Sequence, residues 1–70
     1  MDYEERLAEE YSNLLEKVSK LHVMNIKYKA GTLDFKPNCP FELLQEQERA
    51  MTKYLAILEA RAEVENIKLR

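Results

Sequence analysis

The sequence predicts an all-α fold, an antiparallel two-helix hairpin that oligomerises into a helical bundle. Three observations predict it. Apolar residues recur at helical spacing through two long runs, about 3–29 and about 40–66. The one glycine and both prolines are confined to the stretch between those runs, residues 31–40. The second run carries an apolar arc roughly twice as wide as a surface helix needs to cover one neighbour.

The first helix is expected to open at Tyr3, because Asp2 is a good N-cap and Glu5, three residues later, completes a capping-box pattern. Glu4, Glu5, Glu9 and Glu10 suit the positive end of the helix dipole. Tyr3, Leu7, Tyr11, Leu14, Val18 and Leu21 then repeat at i+3 and i+4 as an inward stripe, with Leu15 and His22 on its flank. Asn25 stands where the stripe wants an apolar residue, while Met24, Ile26 and Tyr28 scatter around the circumference. The helix is therefore expected to end near Lys29, with Gly31 as the stop.

Residues 30–39, AGTLDFKPNC, are the connector, and Leu33 and Phe35 are expected to tuck back onto the open end of the pair. Pro40 fits the first turn of the second helix, with Glu42 near its positive end. At about 100° per residue, Leu44, Met51, Leu55, Leu58 and Ala62 fall on one line, with Phe41 at its edge. Leu43, Ala50, Tyr54, Ile57 and Val64 form a second line beside it. One partner helix cannot bury both, so the first line is assigned to this chain's own first helix and the second to another copy. Beyond Asn66 the segment IKLR reads as a frayed tail.

Size argues the same way. Seventy residues make one small domain, 1–70, below the length at which a single core comfortably holds a fold. Cys39 is the only cysteine, so there is no intrachain disulfide, and Cys39 with the lone His22 cannot complete a structural zinc site. Oligomerisation is the remaining source of stability. A free thiol, no run of ~18 apolar residues and a charged start without an apolar signal-peptide core place the chain in the cytoplasm.

Catalysis finds little support. Ser12 and Ser19 lie mid-helix with no visible His/Asp constellation. The pairs Glu5 with Glu9 and Glu42 with Glu46 lack the Glu-x-x-His partner of di-metal bundles, and no glycine-rich phosphate loop is present. The expectation is a non-enzyme with no cofactor and no metal.

Charge is uneven. The chain is −2 overall, yet residues 1–16 sum to −5, residues 17–36 to +4 and residues 37–70 to −1. Lys17, Lys20, Lys27, Lys29 and Lys36 make the positive island, with Tyr28 and His22 among them. Such a stretch is either the solvated outside of a hairpin end or a supply of cations and flat rings for a small anionic ligand. The net acidic chain argues against a nucleic-acid polymer. Arg61 falls on the second line with Tyr54, where it either pairs with a neighbouring protomer's carboxylate, snorkels to the rim, or anchors a phosphate.

Tyr3, Glu4, Glu5, Arg6 and Leu7, then Leu14 to Lys17 with Lys20 and Leu21, then Leu43, Leu44, Gln47, Met51, Tyr54, Leu58 and Arg61 form a frame over nearly the whole chain. That frame resembles a set of short proteins similar to a crAss-like phage protein, and the helical hairpin domain shared by phage anti-CBASS and anti-Thoeris nucleotide sponges. The segment from Met51 through Tyr54 and Leu58 to Arg61 is the most specific part. The resemblance implies a hexamer-like assembly of hairpins that sequesters cyclic oligonucleotide or cyclic ADP-ribose-type immune signals without cleaving them. It makes Tyr3 and Lys17 the counterparts of an aromatic near the start of the first helix and a lysine about four turns on, with Lys20 a turn further. This chain has a longer connector, and Tyr54 where a Trp often stands.

The functional expectation is then a viral signal sponge that binds its ligand where protomers meet. Tyr3 and Tyr28 would stack, Lys17, Lys20 and Lys27 would neutralise phosphate, and Arg61 would be the forked donor. Two other readings stay open: a protein-binding adaptor or structural oligomerisation module using the wide apolar face, and a small regulator that binds nucleic acid through the lysine island.

Overall fold

The computed structural model describes residues 2–69 and contains two helices, α1 (Tyr3–Ala30) and α2 (Phe41–Glu65), packed against each other as a rod of 42 × 18 × 17 Å. Contacts between them pair Tyr3 with Glu65, Tyr11 with Glu59, His22 with Glu48 and Tyr28 with Phe41, the convergence of an antiparallel hairpin.

Each helix end has a local cause. The Asp2 side chain accepts the Glu5 N–H at 2.8 Å, satisfying one of the first-turn donors that have no partner inside the helix. At the other end of α1, Gly31 adopts φ 78°. Its N–H reaches the Tyr28 carbonyl, and the Thr32 N–H reaches that of Lys27, a Schellman closure at the predicted stop, with the last helical residue Ala30 one beyond Lys29. Lys27 and Lys29 lie in this last turn, where a positive charge offsets the helix dipole. Pro40 is the cap of α2 rather than its first residue, extended at ψ 150°, and its carbonyl accepts from Leu43 and Leu44 N–H. Asn66 closes α2 in the left-handed region, φ 56°, with the Ile67 N–H on the Ala62 carbonyl.

The core is short and dense. Leu7, Tyr11 and Leu14 of α1 meet Leu58 and Ala62 of α2, with Leu15, Val18, Met51 and Leu55 packed around them. The first apolar line thus faces α1 as expected. Of the second line, Leu43 is 54 %, Tyr54 41 %, Ile57 48 % and Val64 86 % exposed. This single chain leaves that line uncovered.

Four expectations need correction. Tyr3, expected to open the inward stripe, is 44 % exposed. The tail is not frayed over its described residues: Ile67 and Leu69 pack against the core cluster, while Arg70 lies outside the described residues. Of the two connector residues expected to tuck inward, Leu33 is half-buried but Phe35 remains exposed. Asn25 does not weaken the stripe. It is buried, and its Nδ2 donates to the Leu44 carbonyl at 3.2 Å and to Glu48 Oε1 at 2.8 Å. Two acceptors face that nitrogen, which fixes the orientation of the amide.

Candidate functional site

Turning α1 by about 100° per residue brings Tyr3, Arg6, Glu10, Asn13, Lys17 and Lys20 onto one flank. On α2 the matching flank is the uncovered line, Leu43, Ala50, Tyr54, Ile57 and Arg61. Both flanks belong to one side of the hairpin, because Arg6, Asn13, Leu14 and Lys17 line a groove of about 440 Å³ together with Tyr54. Glu9 and Glu10 line it too, so its two cations are balanced by two carboxylates. Among the described residues Lys17 makes no ion pair, which leaves its ammonium available to a ligand.

Beyond that groove, where the start of α1 adjoins the end of α2, Tyr3 and Arg61 meet. Arg61 Nη2 donates to the Tyr3 hydroxyl at 2.7 Å, and the hydroxyl donates to Glu65 Oε2 at 3.1 Å. Arg61 Nε stands 4.0 Å from that same oxygen. The Tyr3 oxygen, and then the carboxylates of Glu65 and Glu10, hold the Arg61 guanidinium above its ordinary range. The partner sought for Arg61 on a neighbouring protomer is therefore supplied, at least in part, by its own chain.

The remaining predicted residues lie apart. Lys20 is exposed and pairs with Glu16 at 2.9 Å, holding that carboxyl below its usual range. Tyr28 stacks on Phe41, ring centroids 5.0 Å apart and 23° from parallel, so one of its faces is already used within the chain. Lys27 is exposed beside it in the last turn of α1. At 1.5 Å rise per residue, Lys17 lies roughly 21 Å from Tyr3 along α1, and Tyr28 roughly 16 Å further. One chain brings Tyr3 to Arg61 and Lys17 to Tyr54, but it does not gather all six predicted residues around one ligand.

The opposite side of the hairpin carries a separate polar network. His22 Nδ1 contacts Glu48 Oε2 at 2.6 Å while Asn25 holds Oε1, and the Asn25 amide, then the His22 ring, keep the Glu48 carboxyl below the ordinary glutamate range. Among the described residues, no group of three or more His, Cys, Asp or Glu is placed to hold a metal ion, and no helix is long and apolar enough to cross a membrane. Cys39 is exposed on the connector with a free thiol.

Arg6, Asn13 and Glu65 are contributors that the sequence reading overlooked. For Arg6 and Asn13 the signal was present, since both fall in the i+3, i+4 run that links Tyr3 to Lys17. For Glu65 there was none, because its partner Tyr3 is at the other end of the chain.

A protein-family model, Sequestin, matches residues 1–64. The chain belongs to the Sequestin family. No curated protein and no solved structure matches it. The family name denotes sequestration, in agreement with the sponge-like class inferred from the frame around Tyr3, Lys17, Tyr54 and Arg61. A Sequestin hairpin offers a shallow polar groove flanked by an uncovered apolar line.

Proposed function

We propose that this Sequestin hairpin is a viral counter-defence protein that binds and sequesters cyclic oligonucleotide or cyclic ADP-ribose-type signals without cleaving them, at the seams of a homo-oligomer, with a hexamer favoured. One observation carries the reading. Tyr54 belongs both to the groove that holds Arg6 and Lys17 and to the exposed line that runs through Leu43 and Ile57. A second copy laid on that line also roofs the groove, turning an open surface into an enclosed site with cations and a ring inside it. Covering the half-exposed Leu43, Tyr54 and Ile57 contributes about 1 kcal/mol each, a useful increment for a chain whose buried core is so short.

In this assembly Lys17 and Arg61 neutralise phosphate and Tyr54 or Tyr3 stacks on a base. Lys20, Lys27 and Tyr28 reach ligand through a different seam, given their separation along α1. No step in this function breaks a bond. A sponge retains its ligand only if it binds tightly, at about nanomolar Kd or roughly −12 kcal/mol. Isothermal titration against cyclic di- and trinucleotides and cyclic ADP-ribose isomers, followed by recovery of the ligand after heating, tests the proposal. Intact ligand supports it, cleaved ligand makes the protein an enzyme, and no binding across the panel removes the nucleotide reading.

The adaptor reading gives the same exposed line a different occupant, a host or phage protein. It expects a monomer or dimer in sizing and indifference of partner binding to Lys17→Ala.

A further inference from the structure

We propose that Glu65 is a built-in competitor for the anion, its carboxylate standing where Tyr3 and Arg61 would receive a phosphate group of the ligand. This inference rests on the sequestration reading for its biological ligand, but the cluster can be tested without it. One hydrogen bond and one looser charge contact meet at a single oxygen: the Tyr3 O–H donates to Glu65 Oε2 at 3.1 Å, and Arg61 Nε stands 4.0 Å from it, beyond hydrogen-bond reach. With Arg61 Nη2 on the Tyr3 hydroxyl, these groups supply the donor side of an oxyanion site, held between the first residue of α1 and the last two turns of α2.

The occupant fits poorly. A guanidinium and an oxyanion in a good charge-assisted pair lie about 2.7–2.9 Å apart, and the Arg61 to Glu65 approach is more than 1 Å longer. Helix electrostatics do not explain the position of Glu65 either. The last turn of α2 holds no basic residue, and a carboxylate at a helix C-terminus faces the negative end of the dipole. Its interactions are with Tyr3 and Arg61, while the cluster is open to solvent, with the Arg61 and Glu65 side chains 42 % and 38 % exposed. A phosphate offers more acceptor oxygens and can fork onto the guanidinium, so it displaces Glu65 by a side-chain rotation and nothing more. Glu65 thereby raises the threshold for binding: a lone anion must compete with it, whereas a ligand with further contacts in the groove pays that cost easily.

The test follows the Arg61 side-chain Nε–H resonance of the full chain during titration with inorganic pyrophosphate. Glu65→Gln and Glu65→Ala should each tighten the response about fivefold, equivalent to about 1 kcal/mol at 1.4 kcal/mol per decade. Glu63→Gln, the same charge change one turn face away, should change it less than about twofold, and circular dichroism checks that each variant keeps its helix content. Glu65 variants that bind no tighter than Glu63→Gln overturn the proposal, as does an Arg61 resonance that pyrophosphate leaves unmoved in every variant. Because the probe is pyrophosphate, a tightened Arg61 response in a chain that ignores every cyclic nucleotide would refute the proposed function while leaving this site intact. Tight cyclic-nucleotide binding with no Glu65 effect would do the reverse.

Discussion

Asn25 shows how one polar residue can specify the pairing of two helices. Its amide nitrogen meets the Leu44 carbonyl and the Glu48 carboxylate, so sliding α2 along α1 would leave that buried amide without acceptors. Asn25→Asp should place a carboxylate against those two oxygens and cost about 3 kcal/mol or more at neutral pH, read as a lowered urea midpoint. Glu48 carries a pH dependence of known sign. Its carboxyl is held below the ordinary range by Asn25 and His22, so it contributes stability that is fully present above the unfolded carboxyl pKa of about 4.3 and is lost as pH falls through the lower folded value. Thermal melts taken from pH 7 down to pH 3 should decline less for Glu48→Gln than for the native chain.

Among the elements, the helix ends are set by chain-local chemistry. Gly31 takes a left-handed conformation with open space around its α-carbon, so a substitution there meets backbone strain and no clash. Gly31→Ala should therefore cost about 1–2 kcal/mol without changing the fold, measurable as a lower melting temperature with the same helical circular dichroism. Both boundaries of α1 were readable from Asp2 and Gly31, which act within a turn of themselves. The C-terminal tail was misjudged because its anchoring is tertiary: Ile67 and Leu69, partly buried, pack against a cluster that Leu7, Tyr11 and Leu14 of α1 help to build.

At the scale of the whole molecule, the uncovered line of α2 is the main unresolved burden of free energy. Ile57 is 48 % exposed and central to that line. Ile57→Asp should split the proposed assembly while leaving much of the helix content of each protomer, seen as a smaller sedimentation coefficient; an unchanged coefficient would contradict self-association through this face. The native chain should also melt at a temperature that rises with its concentration, since assembly stabilises by mass action.

Periodicity alone determined the two helices and the two apolar lines of the second, because a helix repeats every 3.6 residues whatever surrounds it. Tertiary structure decided which polar groups meet. Tyr3 with Arg61 and Glu65, and Asn25 with Glu48, are partners distant in sequence, and the register that joins them is set by the packing of Tyr11, Leu14 and Leu58 rather than by any spacing along one helix. It likewise decided that Tyr28 spends one face on Phe41 and that the predicted site residues fall into separate groups along a rod. A straight helix keeps residues many turns apart at a distance that its own fold cannot close.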